Sequence, residues 1–345
     1  MQAVVLHQFG SVEHLEFTSV ADPRPGAGEV LVRVHACGVC YHDIMCRRGS
    51  LPGTNVPAIL GHEVAGEVIE VGPGVTGWKV GDRCATLQRL SCGACPQCNA
   101  GRPSLCKRDA RFFGEELPGG YASLMVAPIA GIGHVPDGIP WAVAATVCCT
   151  AGTAVHVVRT RGRIKPGETV LVTGASGGVG LQVVQLARLD GGRVIAVTSN
   201  ASKTEALYNA GADEVIISPA LEFGSAVRKA TAGEGVNVAI EIVGSATFSQ
   251  TLKAMAPGGR IVVVGNLDSG VISLSPGLVI VKELEILGAY ATTQGELETA
   301  LGPTHAGKLS PFVTEILPLR DAGKAHVRLE NREVAGRLVL SPDSV

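Results

Sequence analysis

A glycine-rich turn within a run of alternating strands and helices most strongly constrains how this chain can fold. From Glu168 onward, β-branched runs such as TVLVT, RVIAVT and VNVAIEIV alternate with helical stretches such as GVGLQVVQLARL. This alternation predicts a doubly wound parallel sheet with right-handed crossovers. The sequence GASGGVG, residues 174–180, follows the first strand and opens a helix. Small residues there let the backbone approach a pyrophosphate at a helix N-terminus, which predicts dinucleotide binding. The positions concerned are Ala175, Gly177, Gly178, Val179 and Gly180.

The residues after the second strand, RVIAVT, indicate which dinucleotide is bound. NAD-preferring domains usually place Asp or Glu there, where it accepts hydrogen bonds from the ribose hydroxyls. This chain has Thr198, Ser199 and Asn200, and then Ser202 and Lys203. Because no carboxylate repels a 2′-phosphate and a lysine is within reach, NADP(H) is favoured over NAD(H). Asn200 and Ser202 also suit the cap of the next helix, and the two roles are compatible.

Length, charge and terminal sequence exclude other classes of protein. A chain of 345 residues is long enough for two domains, each with its own core. A net charge of −2 without a basic lobe argues against nucleic-acid binding. The N-terminus MQAVVLHQFG lacks the features of a signal peptide. The sequence contains no run of roughly eighteen uninterrupted apolar residues, so it predicts no membrane span. We therefore expect a cytoplasmic protein that binds neither nucleic acid nor membrane.

Four cysteines lie close together in SCGACPQCNAGRPSLC, residues 91–106, and none of the ten cysteines follows Cys149. This asymmetry marks a domain boundary. In a reducing compartment, a tight cysteine cluster is more often a metal site than a disulfide framework. Spacings of two, two and seven intervening residues allow four thiolates to surround one tetrahedral zinc ion and leave no open position. The alternative is a set of free thiols or a redox pair. The sequence thus predicts a structural zinc at Cys92, Cys95, Cys98 and Cys106.

Other cysteines and histidines allow a second site with an open coordination position. The segment ACGVCYHD contains Cys40 and Asp43, GHE contains His62 and Glu63, and ATVCC ends at Cys149. A catalytic zinc takes three protein ligands and keeps a fourth position for water or substrate. Two cysteines and one histidine meet that count.

Taken together, these motifs resemble the zinc-containing medium-chain dehydrogenases and reductases, which include the zinc alcohol dehydrogenases. The resemblance rests on GHEVAGEVIEVGPGV, with Gly66, Gly72 and Val75, on the four-cysteine lobe after it and on the later glycine turn. It covers essentially the whole chain. It implies an α/β protein with a β-rich, chaperonin-10-like catalytic domain, residues 1–152 and 290–345, and a Rossmann domain, residues 153–289.

The resemblance also implies roles for single residues. Cys40, His62 and Cys149 would be the ligands of the catalytic zinc, and Glu63 would approach the metal during ligand exchange. Asp43 would hydrogen-bond His62 and fix its ring.

Further positions would contact the cofactor. Arg337 would reach its phosphates, and backbone segments after two later strands would approach its nicotinamide half. These segments contain Val264, Gly265, Asn266, Gly288 and Ala289.

One position departs from the alcohol dehydrogenase pattern. Those enzymes usually have Ser or Thr two residues after the catalytic cysteine, where it begins a proton relay, and this chain has His42. Histidine can relay a proton at neutral pH. With Tyr41 before it, the segment GVCYHD is also similar to family branches that reduce a double bond conjugated to a carbonyl group.

Two enzymatic hypotheses follow, each with a small-molecule substrate and two zinc ions per chain. The first is hydride transfer between NAD(P)(H) and an alcohol, aldehyde or ketone. The second is a zinc-retaining, NADPH-dependent enoyl reductase acting on an acryloyl-thioester-like or quinone-like substrate. A non-enzymatic protein that binds NADP(H) is the third reading, against which the complete zinc ligand set argues. The resemblance implies a homodimer or homotetramer formed through the cofactor domain, and the apolar segment GVISLSPGLVIVKELEIL lies where such an edge would pair.

Overall fold

The chain divides into two units, of which the first is discontinuous in sequence. A computed structural model describes residues 1–267 and 270–343. One unit comprises Met1–Gly152 and the chain from Ala291 onward, and the other comprises Thr153–Tyr290.

The N-terminal part of the first unit is rich in β-structure. Its strands are Gln2–Leu6 (β1), Leu15–Ser19 (β2), Glu29–Val39 (β3), Ala58–Ile59 (β4), Glu63–Val71 (β5), Arg83–Thr86 (β6), Leu124–Pro128 (β7) and Ile132–His134 (β8). Its α-helices are Tyr41–Arg47 (α1), Pro96–Asn99 (α2) and Trp141–Val147 (α3). Short 3₁₀ turns cover Val12–His14, Pro103–Leu105 and Ile129–Gly131, and a π turn, Cys148–Gly152, follows α3.

The second unit contains a six-stranded, wholly parallel sheet in the order β11-β10-β9-β12-β13-β14. Its strands are Thr169–Val172 (β9), Arg193–Thr198 (β10), Glu214–Ile217 (β11), Val236–Glu241 (β12), Met255–Val263 (β13) and Glu285–Gly288 (β14). Its α-helices are Thr153–Val155 (α4), Gly178–Leu189 (α5), Thr204–Asn209 (α6), Gly224–Ala230 (α7), Ser245–Ala254 (α8) and Pro276–Lys282 (α9). A π turn covers His156–Arg161 and a 3₁₀ turn covers Ala201–Lys203. In sequence order this sheet reads 3-2-1-4-5-6, the order of a dinucleotide-binding domain, so the predicted doubly wound sheet is confirmed.

After the second unit the chain returns to the first. The returning elements are the helices Gln294–His305 (α10) and Ala322–Glu330 (α11), the strands Val313–Pro318 (β15) and Arg337–Ser341 (β16), and a 3₁₀ turn, Leu319–Asp321. The strand β16 pairs antiparallel with β3, and so joins a seven-stranded sheet ordered β15-β16-β3-β5-β6-β8, with β7 also on β3. A smaller sheet has the order β2-β1-β4.

Each unit has its own apolar core. In the first unit, side chains on alternating positions of β3 pack with Leu60, Phe113 and Met125, all of them buried. In the second, Leu171 on β9 packs in a buried cluster with Phe223 and Phe248. A strand with one face on such a core presents every second side chain to it.

One helical segment of the described chain is long and apolar enough to cross a membrane by length and composition. It is Trp141–Arg161, with a mean hydropathy of 1.6 in its most apolar window, and 83% of that window is buried inside the protein. Burial of this extent is usual for the core helix of a soluble protein.

Candidate metal centres and nucleotide-binding turn

The first unit brings together Cys40, His62, Glu63 and Cys149. Their ligand atoms all lie within 4.8 Å of one another, and the Sγ atoms of Cys40 and Cys149 are 4.0 Å apart. A tetrahedral zinc with Zn–S bonds of about 2.3 Å holds two thiolates about 3.8 Å apart. In addition, the Glu63 carboxylate is buried, and the described chain gives its Oε2 atom no hydrogen-bond donor. The donor set and its spacing therefore fit a zinc ion.

Local backbone geometry explains why these side chains converge. Cys40 precedes α1, and its N–H donates to Oδ2 of Asp43 at 2.8 Å, which closes the first turn of the helix. Gly61, directly before His62, has a φ of +98°, which favours glycine. A β-carbon at Gly38 would overlap the Glu63 carboxylate.

Cys149 enters the cluster from the π turn after α3. The turn is held by the Thr150 hydroxyl, which donates to the Thr146 carbonyl at 2.7 Å. The Thr292 hydroxyl donates to the Cys148 carbonyl at 3.0 Å. Such π turns inside helices often occur at functional sites. The hydrogen bond from Cys149 lowers the pKa of the Cys40 thiol, so a thiolate forms readily there.

The ring of His62 is oriented by Asp43. The Nδ1 atom of His62 lies 3.2 Å from Oδ1 of Asp43, and both side chains are buried. This hydrogen bond places the proton on Nδ1 and leaves Nε2 to bind a metal.

A buried ion pair borders the same cluster. Nη2 of Arg337 lies 2.9 Å from Oε1 of Glu63 and 3.9 Å from Sγ of Cys149. Burial raises the pKa of Glu63 to about 7, although Arg337 opposes this change. The guanidinium thus offsets part of the negative charge of the Cys40 thiolate and of the Glu63 carboxylate. Its predicted contact with cofactor phosphates stays a prediction.

His42 is held beside the cluster by a residue that sequence reasoning did not find. Its Nε2 lies 2.7 Å from Oε1 of Glu115. Its ring stacks on Phe112 at 4.8 Å and meets the ring of His62 edge-on at 5.0 Å. No motif spacing identifies Glu115, because it is 73 residues from His42 in the sequence.

The four-cysteine lobe forms a second cluster. The Sγ atoms of Cys92, Cys95, Cys98 and Cys106 lie within 4.8 Å of one another, with Cys95 3.5 Å from Cys98 and 3.8 Å from Cys106. Backbone N–H groups, that of Asp109 first, lower the pKa of Cys106 to about 6. These distances and this pKa fit a closed zinc site.

In the second unit, the turn after β9 has the geometry of a pyrophosphate site. Gly177 caps α5 without a side-chain hydrogen bond, so the N–H groups of Gly178, Val179 and Gly180 begin the helix with no side-chain cap. A β-carbon at Gly180 would overlap the Gly174 carbonyl oxygen, and Ala175 is fully buried. The open helix N-terminus favours an anion.

The residues after β10 form a capped turn. The Asn200 side chain accepts from the N–H of Ser202 at 2.9 Å, and the Thr198 hydroxyl accepts from the N–H of Asn200 at 3.3 Å. Ser199 is half-buried, and Lys203 is buried.

The other predicted cofactor positions lie at the ends of β13 and β14. The N–H of Val264 donates to the Glu241 carbonyl at 3.0 Å, and that of Ala289 donates to the Val263 carbonyl at 2.9 Å. A β-carbon at Gly265 would overlap the Ile242 carbonyl. The remaining two positions are Asn266, which accepts from the N–H of Ser245 at 3.4 Å, and Gly288, whose carbonyl accepts from Arg161.

A buried carboxylate organises this edge of the sheet, and the sequence analysis missed it. Glu241, at the end of β12, accepts from the hydroxyls of Thr173, Thr247 and Thr251 at 2.6–2.7 Å. It also accepts from the N–H groups of residues 243 and 244 at 3.0 Å. It therefore ties the end of β9 to the turn after β12.

A β-rich unit with a cysteine–histidine cluster, and a second unit with a 3-2-1-4-5-6 sheet, are the features of the zinc-type dehydrogenase class. The family comparisons agree. Residues 26–137 match the alcohol dehydrogenase GroES-like domain, and residues 178–303 match the zinc-binding dehydrogenase domain. The chain belongs to the zinc-type alcohol dehydrogenase family, and it is an oxidoreductase.

Full-length relatives include two kinds of enzyme. The chain is 35% identical over 342 residues to an acryloyl-coenzyme A reductase of Metallosphaera sedula, covering 99% of this chain and 100% of the relative. It is 32% identical over 352 aligned residues to an NAD-dependent alcohol dehydrogenase of Saccharolobus solfataricus, with coverages of 99% and 100%. Among solved structures, that of AibC has 69% identity and a TM-score of 0.94, covering 100% of this chain and 96% of that one. The predicted family, fold class and oxidoreductase activity are confirmed.

Proposed function

We propose that this protein reduces the carbon–carbon double bond of a short 2-enoyl thioester, with NADPH as the hydride donor. The observation that carries the proposal is the 2.7 Å contact between His42 and Glu115 beside Cys40, His62 and Cys149. The full-length similarity to an acryloyl-coenzyme A reductase supports the same substrate class.

This reaction requires an acid beside the substrate. Hydride from NADPH forms a C–H bond at the β-carbon, the π electrons move to the α-carbon, and the α-carbon takes a proton. A hydroxyl only passes a proton on, whereas an imidazole paired with a carboxylate can hold one. His42 is suited to this, because Glu115 engages Nε2 and leaves Nδ1 for the proton exchanged with substrate. Its side chain is 27% exposed, so it is accessible from outside.

A zinc ion, when bound, supplies Lewis-acid polarisation of the substrate carbonyl. We propose two zinc ions per chain, the catalytic one at Cys40, His62 and Cys149 with Glu63 beside it, and a structural one in the four-cysteine lobe. We also propose that residues 1–152 and 290–345 form the catalytic domain and residues 153–289 the cofactor domain. Elemental analysis of the whole protein should give two zinc ions per chain, and a Cys40→Ser, Cys149→Ser variant should retain one. Two retained ions would contradict the assignment.

The second candidate function is interconversion of an alcohol with an aldehyde or ketone. The complete open ligand set favours it, since polarisation of an oxygen is the main use of such a zinc.

One experiment separates the two candidates. The zinc-loaded protein is incubated with NADPH and either a short conjugated enoyl thioester or the matching enal, and the products are identified. A saturated thioester and a saturated aldehyde support double-bond reduction, whereas an allylic alcohol from the enal with no reduction of the thioester supports the second candidate. A His42→Asn variant should lose double-bond reduction while keeping its zinc.

We propose NADP(H) as the preferred cofactor because the segment from Thr198 to Lys203 contains no carboxylate. Fluorescence titration should give a lower Kd for NADPH than for NADH. A Ser199→Asp variant should reverse this order, because the new carboxylate repels the 2′-phosphate. Equal affinities in the unmodified protein would contradict the proposal.

We propose that two copies of the chain associate through β14 and α9, as a dimer or as part of a tetramer. Ile286 lies on β14, the last strand of its sheet, and Ile280 and Val281 on α9 are 71% and 75% exposed. An unpaired strand edge beside exposed apolar side chains is a typical association surface. Val281→Glu should lower the mass measured by sedimentation. Val80→Glu, at a site 61% exposed in the other unit, is the matched control and should not.

We place the protein in the cytoplasm. All ten cysteines are free thiols, and both zinc sites need reduced cysteine. Cell fractionation should recover it with cytoplasmic enzymes.

A further inference from the structure

A chain of buried hydrogen bonds extends from His62 to helix α11. Beyond the contact between His62 and Asp43, Oδ2 of Asp43 accepts from the Tyr121 hydroxyl at 3.3 Å. The Tyr121 oxygen in turn lies 3.0 Å from Nε2 of His326, on α11. Tyr121 and His326 are fully buried, and Asp43 and His62 are no more than 2% exposed. Neither Tyr121 nor His326 has a part in the reaction described above.

The positions of the protons follow from counting donors and acceptors. A carboxylate only accepts, so Tyr121 donates its single proton to Asp43 and must accept from His326. Nδ1 of His326 has no hydrogen-bond partner in the described structure. The tautomer with the proton on Nε2 is therefore the neutral form that leaves no buried N–H without an acceptor. Burial lowers the pKa of His326 to about 4, which keeps the ring neutral near pH 7.

All donors along this chain thus point towards Asp43. Its carboxylate accepts from Nδ1–H of His62, from the N–H of Cys40 and from Tyr121. Removal of the Tyr121 proton would leave Oδ2 with a single donor, the N–H of Cys40.

A second contact fixes α11 against α1, the helix that Cys40 begins. Glu330, at the end of α11, accepts from Nη2 of Arg47 at 2.5 Å, and Arg47 is 3% exposed. His326 is therefore carried on a helix that this ion pair holds against α1.

We propose that Tyr121 and His326 are positioning residues for the catalytic metal. They hold the Asp43 carboxylate against His62 and so keep Nε2 of His62 directed at the ion. Partners of a ligating histidine raise its basicity and orient its ring. This inference depends on the proposed binding of zinc by Cys40, His62 and Cys149.

Cobalt-substituted protein provides the test, because Co²⁺ reports its ligand geometry in its visible spectrum. Spectra and the rate of metal loss to a chelator are measured for Tyr121→Phe, His326→Leu and His326→Gln. A Cys149→Ser variant supplies the background of the four-cysteine site. Tyr208→Phe, at an exposed tyrosine in the other unit, is the matched control.

We expect Tyr121→Phe and His326→Leu to shift the visible bands and to release the metal about tenfold faster. His326→Gln should keep the visible bands and the release rate of the unmodified protein, because the glutamine amide N–H can donate to Tyr121. Unchanged spectra and release rates in Tyr121→Phe would overturn the inference, even if thermal stability falls. If the unmodified protein and Cys149→Ser have identical cobalt spectra, the metal assignment itself is wrong and the inference fails with it. Normal metal binding in the unmodified protein, together with no reduction of the double bond, would contradict only the proposed function.

Discussion

Arg337 and Glu63 form an ion pair, with Nη2 and Oε1 2.9 Å apart, and both side chains are buried. The guanidinium comes from β16 near the C-terminus and the carboxylate from the start of β5. Because water does not reach this pair to screen it, each charge is compensated by the other.

Replacement of Arg337 by Met should strongly destabilise the protein. The change leaves the Glu63 carboxylate buried without its cation, which costs about 3–5 kcal/mol of unfolding free energy. Urea unfolding at mildly alkaline pH, where Glu63 is ionised, measures the loss. The double variant with Glu63→Gln should recover most of it, because the uncompensated charge is then gone. Strictly additive losses would show that the pair is not coupled.

The Glu115→Gln substitution should slow the proposed reduction of the double bond without weakening substrate binding. Glutamine is neutral and cannot stabilise a protonated His42, so we expect kcat to fall about 10- to 100-fold with little change in KM. Glu116→Gln is the control, since this neighbouring carboxylate accepts from the N–H of Phe112 and does not contact His42. Equal kcat values for the two variants would contradict the role of Glu115.

The carboxylate of Glu241 should contribute strongly to the stability of the second unit. In Glu241→Gln an NH₂ group replaces one acceptor oxygen and faces hydroxyl or N–H donors, which should cost about 3 kcal/mol. Calorimetry or urea unfolding measures the loss. Glu222→Gln, at an exposed position, should have nearly the stability of the unmodified protein. An equally stable Glu241→Gln would mean that the carboxylate charge is unimportant.

His326 should make stability depend on pH. Its folded pKa of about 4 lies below the ordinary value of 6.5, so the unfolded chain takes up the proton first as pH falls. The stability contributed by neutral His326 is complete above about pH 6.5 and is lost as pH falls towards 4. Between pH 7 and pH 5 this amounts to about 2 kcal/mol. His326→Gln should lack this part of the decline in urea unfolding. His305→Gln, at an exposed histidine, should retain it, and equal slopes for the two variants would argue against the effect.

The sequence predicted the features that depend on short chain segments. The glycine turn needs only residues 174–180, and the cluster of four cysteines needs only the spacing within residues 91–106. The alternation of strands and helices likewise predicted the parallel sheet. Such features are readable because neighbours in sequence are necessarily neighbours in space.

Tertiary structure alone decided the partners of these features. Tyr121 meets His326 across 205 residues and Glu241 meets Thr173 across 68, and neither pairing has a spacing that the chain must respect. In the same way, the sequence indicated that His42 departs from the usual hydroxyl, but only folding placed Glu115 on its Nε2. A buried polar group must find a partner, yet which distant group supplies it depends on how the strands and helices pack.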